Sequence, residues 1–356
     1  MTVSRTCYCT REDVQRALDV KSTARNATQI DRIITDVAES VEGQMRRVFY
    51  PTYGVRKFDW PNLTSNVPGF PWRIYLDQNE LISLDLLVSG GVTIPAGNYL
   101  LEPVNDGPPY TRIDINLGTT SAFASATSWQ QSQVFTGTWA GSALATTPGG
   151  ALAAALVDTT GTTVDVTDGS QVGVGSLIVC GTERMLVAGR QALTSAQVVG
   201  AAGMTAASNN TTLPVSDGTK FFIDEAVTVD SERMLVVDIT GNNLVVKRAW
   251  DGTALAIHTA GATVYTSRRL TVVRGAYGTT AATHLISAAV SIHLAPSLIR
   301  SLAIAESVNR LLNEESGYAR TIGSGDAERS MSLTALKDLR AQAFSEHGRQ
   351  MRMRSV

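Results

Sequence analysis

The sequence predicts an α+β protein: a small α-helical bundle formed by the N- and C-terminal segments, with a large β-rich, barrel- or sandwich-like and internally duplicated insertion between them. Three observations lead there. Long stretches of apolar residues at helical spacing occur near the two ends. The middle holds short apolar runs cut by Gly and Pro, with many β-branched residues. Within that middle, two stretches repeat each other. The expected division is residues 1–52 and 296–356 as a helical domain, 53–145 as a β-rich region and 150–295 as a duplicated β domain.

Thr10 followed by Glu12 and Asp13 is a helix start, a hydroxyl cap with acidic residues where the helix dipole favours them. Val14, Ala17 and Leu18 then supply the apolar stripe of a short helix. Ile30, Ile33, Ile34, Val37, Val41, Met45 and Val48 continue at helical spacing, which predicts a long second helix stopped by Pro51. Strands are expected at Arg73 to Leu76, Leu84 to Val88, Tyr99 to Leu101 and Gln133 to Trp139, the last within a stretch from Asp114 to Asp158 that has no charged residue between its ends. Thr146 to Gly150 reads as a linker. After Pro296 the helical pattern returns with Leu298, Leu302, Ala305, Val308, Leu311 and Leu312. A last helix carries Leu333, Leu336, Leu339 and Ala343 and runs to about Gly348, followed by Arg349, Arg352 and Arg354 alternating with Met351 and Met353.

The repeat is the most informative local feature. Thr162 to Gly169 aligns with Thr211 to Gly218, and Glu183-Arg184-Met185-Leu186-Val187 with Glu232-Arg233-Met234-Leu235-Val236, both at an offset of 49 (211 − 162 = 232 − 183). A shorter echo pairs Arg248 to Thr253 and His258 with Arg274 to Thr279 and His284, at an offset of 26 (274 − 248 = 284 − 258). Duplicated small β units with Asp-Gly turns follow.

Composition narrows function. The 356-residue chain is 44% hydrophobic but only 17% charged, against roughly 25% charged in an ordinary soluble domain. A net charge of −2 leaves no global footprint for nucleic acid, because phosphate binding needs clustered Lys and Arg. Three cysteines without framework spacing, Cys7, Cys9 and Cys180, argue for a reducing compartment and no essential disulfide. No signal peptide and no membrane span are expected.

The sequence displays no catalytic motif: no Gly-x-Ser-x-Gly elbow, no phosphate loop and no dinucleotide fingerprint. His258 and His284 occupy equivalent repeat positions, which favours a structural role, and His284 with His293 lacks metal-ligand spacing. Asp224, Glu225, Asp230, Glu183 and Glu232 read as solvated turn residues or arginine partners. No cofactor or metal is expected. Two segments suit contacts: Arg46-Arg47-Val48-Phe49-Tyr50-Pro51, where Phe49 is expected to pack in the core, and the basic end behind the last helix.

With these residues in view, the chain resembles the head-to-tail connector (adaptor) proteins of long-tailed bacteriophages, especially those of actinobacteria. The runs that carry the resemblance are Tyr8 to Val14, Arg46 to Pro51, Phe58-Asp59-Trp60-Pro61, Val134 to Trp139, Glu232 to Val236 and Arg274 to His284. The resemblance implies a non-enzymatic virion protein at the head–tail neck, assembled in the host cytoplasm. It implies a ring, expected to be dodecameric, bound to the portal protein and to tail-side neck proteins such as a stopper or tail terminator. DNA would pass through its channel without sequence-specific binding, and no membrane is involved. The residues expected at the portal or subunit interface are Arg46, Arg47, Tyr50, Leu336, Leu339, Phe344, Arg349, Arg352 and Arg354. Two other classes compete: a tail-associated β-sandwich binding module, which needs Trp129, Trp139, Trp250 and Tyr277 to line an exposed groove, and a hydrolase, which needs carboxylates converging in a pocket.

Overall fold

A computed structural model describes residues 3–18, 24–61, 71–315, 321–322, 329–330 and 333–349. The class is α+β, as the sequence predicts. Helix α1 spans Arg11–Leu18 and α2 Ala24–Met45. Strands β1 (Thr52–Phe58), β2 (Arg73–Tyr75), β3 (Leu81–Ser89), β4 (Val92–Ile94), β5 (Tyr99–Glu102), β6 (Arg112–Ile115) and β7 (Gln133–Trp139) follow. Next come β8 (Ala145–Ala151), β9 (Thr163–Asp165), β10 (Leu177–Cys180), β11 (Glu183–Val198), β12 (Thr212–Pro214) and β13 (Ala226–Val229). The β region closes with β14 (Glu232–Thr240), β15 (Asn243–Lys247), β16 (Thr263–Val273) and β17 (Ala289–Leu294), and helices α3 (Ser297–Glu315) and α4 (Leu333–His347) follow, with a two-stranded pairing of Thr321–Ile322 and Arg329–Ser330 between them.

The chain forms two compact units. One comprises Met1–Val41, Thr146–His293 and Ser297–Gln342; the other comprises Glu42–Ala145, Leu294–Pro296 and Ala343–Val356. Most helical residues fall in the unit that holds the duplicated β region. The Glu42–Ala145 unit holds an antiparallel four-stranded sheet, β1-β7-β3-β4, and a three-stranded sheet, β2-β6-β5. Alternation along β7 and β3 sends Phe135, Trp139, Leu81 and Leu87 to a core shared with Ile74, Leu76 and Ile113. Each such side chain contributes roughly 1.5–3 kcal/mol by leaving water. Gly137 sits where β3 comes closest, so that a Cβ there would strike the Ser83 carbonyl.

In the other unit, a reciprocal cap starts α1: the Asp13 amide donates to Thr10 Oγ1 at 3.0 Å and the Thr10 amide to Asp13 Oδ2 at 2.9 Å. The helices of both chain ends pack together. Cys9 Sγ lies 3.5 Å from Ser307 Oγ on α3, Gln29 and Arg32 of α2 both donate to Glu314 of α3, and Arg340 of α4 reaches Glu306. All three cysteines are buried free thiols, and burial chiefly, despite the Ser307 contact, pushes the Cys9 thiol far up.

The expected barrel or sandwich is an open ten-stranded sheet, ordered β12-β15-β14-β13-β16-β11-β10-β17-β8, with β9 also paired to β16. The expected linker at Thr146 to Gly150 is a strand: β8 lies beside β17 at the sheet edge, where Pro148 is tolerated because no neighbour needs its missing N–H. Gly149 lets the backbone approach Ile292, whose side chain a Cβ would meet at 2.9 Å.

The two repeat offsets describe one event. Pairing of Thr163 with Thr271 and of Val164 with Leu270 in β9/β16 matches pairing of Thr212 with Val245 and of Leu213 with Leu244 in β12/β15. The first strand shifts by 49 and the second by 26 (270 − 244). The bulge between Val187 and Gly189 recurs between Val236 and Asp238, and the Leu156–His284 bridge has its counterpart in Met204–His258, with the first strand one residue short of the offset of 49 (204 − 156 = 48). An inner copy, roughly residues 199–262, is thus inserted in the β11–β16 hairpin of an outer copy. Each has its own core: Val164, Ile178, Met185, Val187 and Leu270 in the outer, and Leu213, Val227, Met234, Val236 and Leu244 at the equivalent inner positions.

Candidate functional site

Both copies close around the same buried constellation. Glu183, at the start of β11, is fully buried and accepts hydrogen bonds from Arg274 Nε (2.6 Å) and Nη2 (2.8 Å), from the Gly275 and Ala282 amides, and from His284 Nε2 at 2.8 Å. Glu232, at the start of β14, repeats this with Arg248 (2.6 Å twice), the Ala249 and Ala256 amides and His258 Nε2 at 3.1 Å. The arginines also hold loop carbonyls: Arg274 those of Asp158, Gly161 and Ala282, and Arg248 those of Thr205, Asn210 and Ala256. One side-chain set therefore ties the strand start, the turn after the returning strand and the module's first loop.

Burial alone would raise these carboxyl pKa values. The forked arginine and the amide donors, joined at Glu183 by the His284 imidazole, outweigh it, and both carboxyls are held at about 2. The reading of Glu183, Glu232 and Glu225 as solvated turn acids is corrected: all three are fully buried, and Glu225 is paired with Arg268 at 2.6 Å. Their role as arginine partners stands. The missed signal was present in the sequence, since Glu, Arg and His all recur at the repeat offsets. Around the histidine the copies differ: Asp230 lies 2.9 Å from His258 Nδ1, and the equivalent outer residue is Gly181.

Carboxylates do meet in a cavity of about 120 Å³, lined by Arg11, Glu12, Arg16, Arg190, Asp224, Arg233, Trp250 and Asp251 among others. Each has an arginine: Glu12 with Arg190 (3.3 Å), Asp224 with Arg16 (3.5 Å) and Asp251 with Arg233 (2.5 Å). Burial, with Glu12 nearby and only partly offset by Arg233, raises the Asp251 carboxyl above its ordinary range. The cavity is a compensated ion-pair network. Among the described residues no cluster of three or more His, Cys, Asp or Glu is arranged to hold a metal, and no helix is long and apolar enough to cross a membrane.

The expected interface residues divide between the two units. Leu336 is buried and Leu339 half-buried in the first. In the second, Arg46 is exposed in a left-handed conformation (φ 52°) one residue past α2, Tyr50 is half-buried, and Phe344 is 44% exposed. Arg47 and Arg349 converge on buried Glu80 at 2.8 and 3.2 Å, and Arg349 also bonds the Gln78 carbonyl with its side chain and the Met45 carbonyl with its amide. Phe49 is fully buried, as expected, edge-on to His347. Arg352 and Arg354 lie outside the described residues. Trp139 and Trp250 are buried, Tyr277 is half-buried and Trp129 is exposed.

Comparison with protein-family models, with curated proteins and with solved structures returned no match.

Proposed function

We propose that this protein is a structural, non-catalytic subunit of the tailed-phage neck. It forms a ring, expected to be dodecameric, under the portal, joins capsid to tail-side neck proteins and leaves a channel for DNA. The observation that carries this reading is the duplicated Glu–Arg–His constellation. Side chains of catalytic type occur twice, buried and bonded to each other and to backbone, which is how residues that rigidify a module are arranged. A near-neutral chain suits a channel that DNA must traverse without being held. The helices from both chain ends give a body on which a collar can be built, and Arg46 and Phe344 remain exposed for contacts. The sequence runs from Tyr8 to His284 that resemble connector proteins point the same way.

The test is the native mass of the protein mixed with portal rings from the same phage, compared with each component alone. Discrete added mass in a multiple matching the portal's symmetry is expected. No association at micromolar concentration overturns the reading in favour of a tail-associated β binding module.

A further inference from the structure

The two copies serve as controls for each other, and they differ at one arginine. Arg233 in the inner copy donates its amide to Thr253 Oγ1 (3.0 Å), and its guanidinium meets Asp251 at 2.5 Å and Ser267 Oγ at 3.3 Å. Arg184 in the outer copy makes the same backbone bond, its amide to Thr279 Oγ1 at 3.0 Å. Position 251 corresponds to 277 (251 + 26), and both residues are left-handed at φ 53° in matching turns. The outer residue is Tyr277, so the carboxylate is missing. Among the described residues the Arg184 guanidinium has no hydrogen-bond or ion-pair partner, and its Nη1 is buried. A second orphan touches the Tyr277 side chain: Thr6, 4% exposed, gives its amide to Tyr277 Oη at 2.7 Å, while its buried Oγ1 has no partner. Unpaired buried polar groups of this kind are costly, and a bound ion is one of the ways in which they are satisfied.

We infer that Arg184, beside the Tyr277 turn, is the receptor for an external oxyanion, a carboxylate or phosphate group, that takes the place Asp251 fills in the inner copy. A guanidinium suits this ligand because its planar fork donates two parallel bonds to either group. Burial lowers the Arg184 pKa, the direction expected for a cation lacking its counter-charge. The inference stands apart from the connector reading.

The experiment is thermal unfolding of the full chain at pH 7 in sodium phosphate, sodium acetate and sodium chloride of equal ionic strength, for the wild type, Arg184→Gln and Tyr277→Asp. The expected result is a wild-type midpoint higher by about 1–3 °C in phosphate, acetate or both than in chloride. Arg184→Gln loses this increment. Tyr277→Asp, which supplies an internal carboxylate at a position where Asp is at home, loses it too and keeps the test informative if Arg184→Gln does not fold. Response to phosphate alone identifies a phosphate ligand, and response to acetate identifies a carboxylate. A wild type indifferent to all three salts, or an increment equal in all three proteins, overturns the inference.

Discussion

Replacing Glu232 by Ala tests whether the buried Glu–Arg–His constellation holds the inner module together. Glu232 accepts five hydrogen bonds, two from Arg248 at 2.6 Å, two from the Ala249 and Ala256 amides at 2.9 Å each and one from His258 at 3.1 Å. Removing it leaves Arg248, only 5% exposed, held by carbonyls without a counter-charge. Breaking a buried pair from one side costs about 3–5 kcal/mol. The two orphaned amides, at about 1–3 kcal/mol each if no water reaches them, push the result to the upper part of that range. Removing both charges in Glu232→Leu/Arg248→Met abolishes the stranded cation but leaves unpaired the two amides and the Thr205, Asn210 and Ala256 carbonyls that Arg248 held, so the double variant is expected to recover no more than about 1–2 kcal/mol relative to the single. Equilibrium urea unfolding followed by circular dichroism measures both. A single-variant cost below about 1 kcal/mol, or a double variant less stable than the single, would refute the reasoning.

Two further outcomes are expected, one from the same constellation and one from the other unit. Glu183 and Glu232 sit at about 2 in the folded chain against an ordinary value of 4.5; a folded-state pKa that is depressed contributes stability present above pH 4.5 and lost as pH falls toward 2. Urea midpoints should therefore drop between pH 4.5 and pH 2, and the drop should shrink in Glu183→Gln and Glu232→Gln measured against their own neutral-pH values; an unchanged slope in these variants counts against the assignment. In the other unit, Gly137→Ala should destabilise by about 2–3 kcal/mol because the added methyl meets the Ser83 backbone across β7 and β3, and a thermal midpoint equal to wild type would show that the strands yield.

Much of this was legible in the sequence because its signals are local. The Thr10 cap, the stripe from Ile30 to Met45 and the run from Gln133 to Trp139 each specify their own element through periodicity and end chemistry. The failures are non-local. Thr146 to Gly150 has loop composition, and only its place beside β17 makes it a strand. Glu183 resembles a solvated turn acid because its arginine lies 91 residues away. The offsets of 49 and 26 appeared as two repeats because the insertion splits the outer copy, so that its halves are displaced by different amounts from their inner counterparts. Strand pairing joined them. The Arg184 orphan had a faint sequence trace, the exchange of Asp251 for Tyr277 between otherwise matched turns.

The nested duplication is tested most directly by excision. Val198 and Thr263 are register partners at the end of the β11–β16 pairing, so replacing residues 199–262 by Asn-Gly closes that pair with a two-residue hairpin turn. The measurement is urea unfolding of this shortened chain, followed by circular dichroism. A folded protein with a cooperative transition is expected, because Val164, Ile178, Met185 and Leu270 form a core that excludes the inner copy. A chain that is unfolded in the absence of urea would contradict it, by showing that the two copies are one inseparable module.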